Sequence, residues 1–132
     1  MTVLVDSNVL IDLATDSAWS DWAAQQMGEL EDQSFAINQL IYAETAFAYS
    51  AAEHLDRLLS QLGIVRLGLP WAAAFPANRA FRAYRERGGQ RTSPLPDFYI
   101  GAHAQVAGLK LLTRDAARYR TYFPELALIA PN

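Results

Sequence analysis

The chain has 132 residues, of which 52% are hydrophobic and 19% charged, and its formal net charge is −3. This length and apolar content predict one domain over residues 1–132 and exclude a disordered tail. The absence of cysteine excludes disulfides, a thiol nucleophile and a zinc–thiolate site. No apolar run approaches the roughly 20 residues that span a bilayer, and the N-terminus does not have the pattern of a signal peptide. We therefore expect a cytoplasmic protein without a membrane partner.

Charge is distributed unevenly along the chain. Residues 1–66 hold two basic and ten acidic residues, a net charge of −8, whereas residues 67–132 hold nine basic and four acidic residues, a net charge of +5. All of the basic residues except Lys110 are arginines, and arginine is the better partner for phosphate. A nucleic-acid partner is therefore open despite the acidic total, although a biased genomic base composition explains the arginine excess at least as well.

Short apolar runs alternate with helical patterns along the whole chain. We predict strands at residues 2–5, 34–37, 64–67, 109–113 and 126–129. Helices are predicted at residues 7–14, 17–33 with Ser17 as N-cap, 39–50 with Asn38 as N-cap, 52–62, 70–87 with a bend at Pro76, 97–107 and 116–122. Because the strands are continuously apolar and alternate with helices, they predict a three-layer α/β domain. Its parallel sheet has four or five strands and is covered by helices on both faces.

Three aspartates follow the ends of predicted elements. Asp6 directly follows the first strand, Asp115 follows the fourth by two residues, and Asp97 opens a helix after the loop at 88–96. Functional sites in open α/β sheets form beyond the carboxyl ends of the strands, so these acids are expected to converge at one edge. Taken singly, Asp97 and Asp115 are also typical of residues that stabilise helix N-termini, and Asp6 of a residue that begins a turn.

Glu44 is predicted to lie within an apolar helix face. That face is formed at spacings of three and four by Leu40, Ala43, Phe47 and Ala51. A carboxylate in such a place must be paired, protonated or bound to a metal, and no lysine or arginine lies within one helical turn of it. Four carboxylates at one edge repel each other unless a cation lies among them. An all-oxygen donor set without cysteine favours Mg²⁺ or Mn²⁺, which activates water against phosphodiesters.

Polar residues beside these acids have weaker assignments. Asn8 and Thr113 are expected either to orient the carboxylates or to satisfy local backbone groups. We expect Ser7 to cap a helix, Asp12 to lie on the surface, and His103 to be a hydrogen-bonded residue between packed elements.

Four segments together resemble a known family. VLVDSNVLIDL, IYAE, LPDFYIGAHA and LLTRD resemble the PIN-domain ribonucleases, and within them the VapC-like toxins of bacterial toxin–antitoxin pairs. The resemblance extends from Val3 to the last predicted strand. It implies a PIN fold and a Mg²⁺- or Mn²⁺-dependent endoribonuclease whose metal ligands are Asp6, Glu44, Asp97 and Asp115, supported by Asn8 and Thr113. Phe98 and Tyr99 are bulkier than the residues that often follow the third acid, which affects the shape of the pocket.

The resemblance also implies partners, namely an RNA substrate, a second copy of the chain in a homodimer, and an antitoxin peptide near the metal. Residues 10–22 and 42–52 are expected to form an apolar groove for that peptide. Candidate anchors at these interfaces are Trp19, Trp22, Tyr42 and Tyr49, at least half of which we expect in the core.

Five arginines precede the third acid. Arg79, Arg82, Arg85, Arg87 and Arg91 are predicted to line the path of the RNA or, equally, to form a solvated helix face. The alternative function is a catalytically inactive PIN-like fold that binds protein or RNA, and the presence of all four acids argues against it. A phospho-acceptor receiver domain fits poorly, because no acid adjoins Asp6 and no aspartate follows the third strand.

Overall fold

Five short strands form one parallel sheet in the computed structural model, which describes residues 1–93 and 95–131. The strands are β1 (Thr2–Val5), β2 (Ser34–Ile37), β3 (Ile64–Arg66), β4 (Lys110–Leu112) and β5 (Leu128–Ile129). They lie in the order β3-β2-β1-β4-β5, and every neighbouring pair is parallel. The predicted α/β class and the five-stranded parallel sheet are therefore confirmed.

The central strand β1 is buried on both faces of the sheet. Val3, Leu4 and Val5 have no exposed surface, so side chains that point to opposite faces are covered equally. Leu4 lies opposite Ala36 of β2 and Leu111 of β4. Burial from both sides explains why the strands are continuously apolar instead of alternating with polar residues.

Helices connect the strands in the described part of the chain. They are α1 (Ser7–Ala14), α2 (Ser20–Glu29), α3 (Gln39–Thr45), α4 (Ala52–Gln61), α5 (Ala74–Glu86), α6 (Pro96–Ala107) and α7 (Ala117–Tyr122). Single 3₁₀ turns follow α3 at Ala46–Ala48 and precede α5 at Trp71–Ala73. Helix α1 packs against α2 and α3, and α6 packs against α5 and α7. None of these helices combines the length and apolar character needed to cross a membrane.

Several predicted helix ends are confirmed by their caps. The Asn38 side chain accepts a hydrogen bond of 3.0 Å from the Ile41 N–H and begins α3. Gly108 ends α6 with a φ of 67°, a left-handed conformation that glycine adopts without steric strain.

Three predicted helices differ from the structure. The second begins at Ser20 and not at Ser17, whose hydroxyl instead donates to Asp12. The third ends at Thr45, whose hydroxyl bonds the Ile41 carbonyl at 2.7 Å. The fifth begins at Ala74 and not at residue 70, so Pro76 lies in its first turn, where the missing N–H leaves no helical hydrogen bond unmade and the expected bend is not needed.

The strand order creates one crevice at the carboxyl edge of the sheet. The chain leaves β1 toward β2 and β3 on one side, and β4 and β5 lie on the other side. The direction of winding therefore changes between β1 and β4, the position where open α/β sheets place their sites.

Candidate functional site

Asp6 occupies the end of β1 at this crevice and is also the N-cap of α1. Its Oδ1 accepts a hydrogen bond of 2.8 Å from the Ser7 N–H. Its Oδ2 accepts hydrogen bonds from the hydroxyls of Thr113 at 3.0 Å and Tyr119 at 2.9 Å. The side chain is 3% exposed. Burial, followed by the charge of Asp97, raises the pKa of Asp6 to about 6 although the three hydrogen bonds oppose the rise.

Glu44 lies beside Asp6 near the end of α3. The Ser7 hydroxyl donates to Glu44 Oε1 at 3.2 Å, while the Ser7 backbone N–H bonds Asp6, so one residue connects both carboxylates. Burial raises the pKa of Glu44, and the charges of Asp6 and Asp97 raise it further. The carboxylates of Asp6, Glu44 and Asp97 therefore lie close enough to repel one another, and together they form the carboxylate cluster.

Asp97 enters the cluster from the first turn of α6. Pro96 begins that helix, so Asp97 lies where the helix dipole favours a negative charge. The Tyr119 hydroxyl lies 3.4 Å from Asp97 Oδ1, and Arg118 Nη1 donates to Asp97 Oδ2 at 3.1 Å. Both carboxylate oxygens of Asp97 therefore face groups carried by α7.

Thr113 and Asn8 hold the loop after β4 against Asp6. Thr113 is fully buried, and its hydroxyl receives a hydrogen bond of 3.1 Å from Asn8 Nδ2. Asn8 Oδ1 in turn accepts the Arg114 N–H at 3.2 Å. These contacts orient the Asp6 carboxylate, and Asn8 also satisfies a backbone N–H, so contacts of both expected kinds are present.

Asp115 lies at the same edge but outside the buried cluster. Its side chain is exposed, and its backbone N–H donates to the Thr113 hydroxyl at 3.2 Å. It does not cap α7, whose N-cap is Ala116 and which has no side-chain cap. Asp115 and Asp97 line a common cleft of about 450 Å³. Asp115 therefore lies on the surface of the cleft that leads to Asp97.

Both the sequence and the fold are similar to those of known proteins. A family model of the PIN domain matches residues 3–124. The chain belongs to the PIN domain family. No curated protein matches the sequence.

Solved structures share this fold at low sequence identity. VapBC2 from Rickettsia felis, bound to a DNA fragment from its promoter, has a TM-score of 0.75 at 18% identity and 100% coverage of both chains. VapBC-1 from nontypeable Haemophilus influenzae has a TM-score of 0.73 at 16% identity, and a toxin–antitoxin complex from Klebsiella pneumoniae has 0.66 at 24%. Both matches cover 98% of each chain. The sequence-based resemblance to the PIN domain is thereby confirmed at the level of the family, and these solved structures confirm the fold.

The donor set of this PIN domain is of the kind that hard divalent cations prefer. Asp6, Glu44 and Asp97 offer only oxygen atoms. Burial raises the pKa of Asp6 and Glu44, and the charge of Asp97 adds to both rises, so a cation would favour the ionised carboxylates. As placed in this structure, the acids within residues 1–93 and 95–131 do not form an assembled cation site of three or more side chains. Tyr119 and Arg118 satisfy the carboxylates instead.

Tyr119 and Arg118 are the site residues that sequence reasoning missed. Tyr119 is 1% exposed, and a buried tyrosine hydroxyl requires a hydrogen-bond partner. Its position on α7, four residues after Asp115, is the sequence signal that could have pointed to it. Burial, followed by the charges of Asp6 and Asp97, raises the pKa of Tyr119 well above its usual value. The hydroxyl therefore stays protonated and donates.

Three side-chain interpretations were wrong, and one was right. Glu44 is half-buried by the cluster and not by an apolar stripe, because Phe47 of that stripe is 94% exposed once α3 ends. Ser7 does not cap a helix, since Asp6 does.

Asp12 was expected on the surface, but it is buried and pairs with Arg114. His103 is buried, as expected, with Nδ1 3.0 Å from Asn38 Nδ2.

The five predicted RNA-path arginines lie in different surroundings. Arg79 lies over the Phe75 ring, Arg82 pairs with Glu86, and Arg85 donates to the Arg91 carbonyl. Arg87 lies over the Tyr122 ring and lines the cleft that holds Asp97 and Asp115. Arg87 is the one of the five that shares a cleft with the predicted acids.

Proposed function

We propose that this PIN domain is a Mg²⁺- or Mn²⁺-dependent endoribonuclease. The observation that carries the proposal is the electrostatic coupling of Asp6, Glu44 and Asp97 at the winding change of the sheet. Three ionised carboxylates in a partly buried place lower the stability of the fold unless a cation neutralises them. Such an arrangement is typical of functional sites. Binding a divalent cation is the use that an all-oxygen set supports.

Each residue of the cluster has a separate task in this proposal. Asp6, Glu44 and Asp97 would hold the cation, and Asp115 would contribute from the cleft side. A bound divalent ion supplies activation of water and neutralisation of the phosphodiester charge. Thr113 and Tyr119 fix the direction of Asp6 Oδ2, and Ser7 fixes Glu44 Oε1.

The cleft beside Asp97 is where single-stranded RNA would lie. Its walls carry Tyr84, Arg87, Arg118 and Tyr122 together with the two aspartates. Arginines bind phosphate groups and tyrosine rings stack on unpaired bases. RNA loops and single strands present both features to a protein.

The proposed activity is tested with the purified chain and a labelled single-stranded RNA. We expect cleavage with Mg²⁺ or Mn²⁺ and none with a chelator. Asp6→Asn should lose cleavage because it removes a charged ligand while keeping the shape of the side chain and one acceptor oxygen. The matched control is Asp16→Asn, an exposed acid outside the cluster, which should cleave as the wild type does. Wild-type cleavage by Asp6→Asn would contradict the proposed site.

A second function is supported by a specific contact. Arg118 and Tyr119 occupy both oxygens of Asp97, which suits a PIN-like fold that binds protein or RNA without catalysis. In that case RNA is bound but stays intact at every metal concentration. The same assay, read alongside RNA binding, separates the two functions.

We also propose that the protein is the toxin of a toxin–antitoxin pair and forms a homodimer. Its structural neighbours include VapBC complexes and a toxin–antitoxin complex. A cavity of about 150 Å³ between α3 and α4 is lined by Tyr42, Ala46, Tyr49 and Leu55. An apolar side chain of an antitoxin helix would fit this cavity, most of which is lined by the predicted groove segment at residues 42–52.

A further inference from the structure

Arg118 is the cation that reaches the carboxylate cluster. Its Nη1 lies 3.1 Å from Asp97 Oδ2, whereas the other ion pairs in the described part of the chain join acids outside the cluster. A permanently charged guanidinium therefore neutralises one of the carboxylates that are proposed to hold a divalent cation.

The ion pair between Arg118 and Asp97 is weak, because both side chains are in contact with water. The two side chains are 39% and 31% exposed, and ion pairs in contact with water contribute little net stability. The backbone beneath Arg118 is fixed, because the next residue, Tyr119, is buried and bonds Asp6. The guanidinium can therefore move while α7 stays in place.

A second position for the guanidinium is open in the same neighbourhood. Arg118 lines the 450 Å³ cleft together with Arg87, Asp115 and Tyr122. A phosphate in that cleft attracts the guanidinium away from Asp97, and a divalent cation at Asp97 repels it in the same direction. Both ligands therefore favour the same movement of one side chain.

We propose that Arg118 is an exchangeable counter-ion, which holds Asp97 in the free protein and is transferred to an RNA phosphate when a divalent cation takes Asp97. This inference rests on the proposed function. It makes cation and RNA binding mutually supportive, and by linkage each ligand tightens the other by the same factor.

The test measures binding and not cleavage. Mn²⁺ affinity is determined by calorimetry with and without a saturating single-stranded 2′-O-methyl phosphorothioate RNA, which resists cleavage. The variants are Arg118→Gln, Arg118→Lys and, as matched control, Arg120→Gln, an exposed arginine on the same helix. Thermal melting confirms that each variant is folded.

We expect opposite effects on the two ligands. Without RNA, Arg118→Gln should bind Mn²⁺ about five- to tenfold more tightly, since a positive charge a few ångströms away is gone. It should bind the RNA more weakly, and the factor by which RNA tightens Mn²⁺ binding should fall. Arg118→Lys keeps the charge and should retain wild-type Mn²⁺ affinity, as should Arg120→Gln.

Two failures are distinguishable. If the wild type does not bind Mn²⁺, or if Asp6→Asn leaves Mn²⁺ binding intact, the proposed function fails and the inference fails with it. If the wild type binds Mn²⁺ at Asp6 but Arg118→Gln binds it equally or more weakly, the counter-ion role is overturned and the nuclease proposal stands. A gain shared by Arg120→Gln also overturns the role, because it would reflect overall charge alone.

Discussion

The hydroxyl of Tyr119 donates a hydrogen bond of 2.9 Å to Asp6 Oδ2 across 113 positions of the sequence. It joins the last helix to the first strand at the point where the carboxylates gather. The same hydroxyl lies 3.4 Å from Asp97 Oδ1. One aromatic residue thus fixes the separation of two acids that would otherwise repel each other.

Removing this hydroxyl should destabilise the protein. Tyr119→Phe leaves a buried carboxylate with one partner fewer, and we expect a loss of about 1–3 kcal/mol in the free energy of unfolding. Urea denaturation at neutral pH measures the change. Tyr99→Phe, on the first turns of α6, is the control and should change little. Equal stability of Tyr119→Phe and wild type would show that the hydroxyl does not hold Asp6.

The contribution of Asp6 to the stability of the metal-free protein should fall as the pH rises. The pKa of Asp6 is raised from 3.8 to about 6 on folding, so its neutral form is favoured in the native state. That contribution is fully present below the unfolded pKa and is lost as the pH rises through about 6. We expect a loss of roughly 1–2 kcal/mol between about pH 5 and pH 8.

Asp6→Asn should remove much of this pH dependence, because the amide does not titrate. Asp16→Asn should keep it. Unfolding by urea at several pH values in the presence of a chelator provides the comparison. A difference in unfolding free energy between wild type and Asp6→Asn that does not fall from pH 5 to pH 8 would contradict the raised pKa of Asp6.

Sequence reasoning predicted the sheet and the acids for physical reasons that apply generally. Strands buried on both faces are continuously apolar, as Val3, Leu4 and Val5 show. The site rule for parallel sheets then placed Asp6 and Asp97 at one edge before any contact was known.

The contacts of α7 could not be predicted in the same way. Tyr119 and Arg118 reach Asp6 and Asp97 through tertiary packing of α7, and no periodic pattern encodes that approach. Glu44 was predicted for a wrong reason, since the helix ends at Thr45 and its supposed apolar face is open to solvent at Phe47. Local patterns gave the elements, whereas long-range packing decides which side chains meet.

A glycine controls how closely α7 approaches α6. A Cβ added at Gly101 would lie 2.6 Å from the ring of Phe123, which is buried and directly follows α7. Gly101→Ala should therefore destabilise the fold by about 1–3 kcal/mol and displace Arg118 from Asp97. Gly28→Ala meets nothing within 4 Å on α2 and should instead stabilise by up to about 1 kcal/mol. Thermal melting of the two variants checks the opposite signs.

The proposed assembly can be tested without RNA. We expect sedimentation at micromolar concentration to give a mass near twice 14.6 kDa, since two-fold dimers are the commonest closed assembly. The most exposed aromatic side chains, Trp71 and Phe47, are each 94% exposed and are the first candidates for anchors. Trp71→Ser should weaken the dimer if this face is used, whereas a wild-type monomer would contradict the homodimer itself.

The salt dependence of RNA affinity separates two arginines of α5 and its C-terminal end. Arg87 lines the cleft beside Asp97, whereas Arg82 faces solvent and pairs with Glu86. Each phosphate contact with single-stranded RNA contributes a slope of about 0.7 to the plot of log affinity against log salt concentration. Arg87→Gln should therefore flatten the plot by about 0.7 and weaken binding, while Arg82→Gln leaves both unchanged. Fluorescence anisotropy with the cleavage-resistant RNA measures both slopes. Equal slopes for Arg87→Gln and wild type would exclude the cleft from the RNA path, and flattening by Arg82→Gln alone would move that path to the outer face of α5.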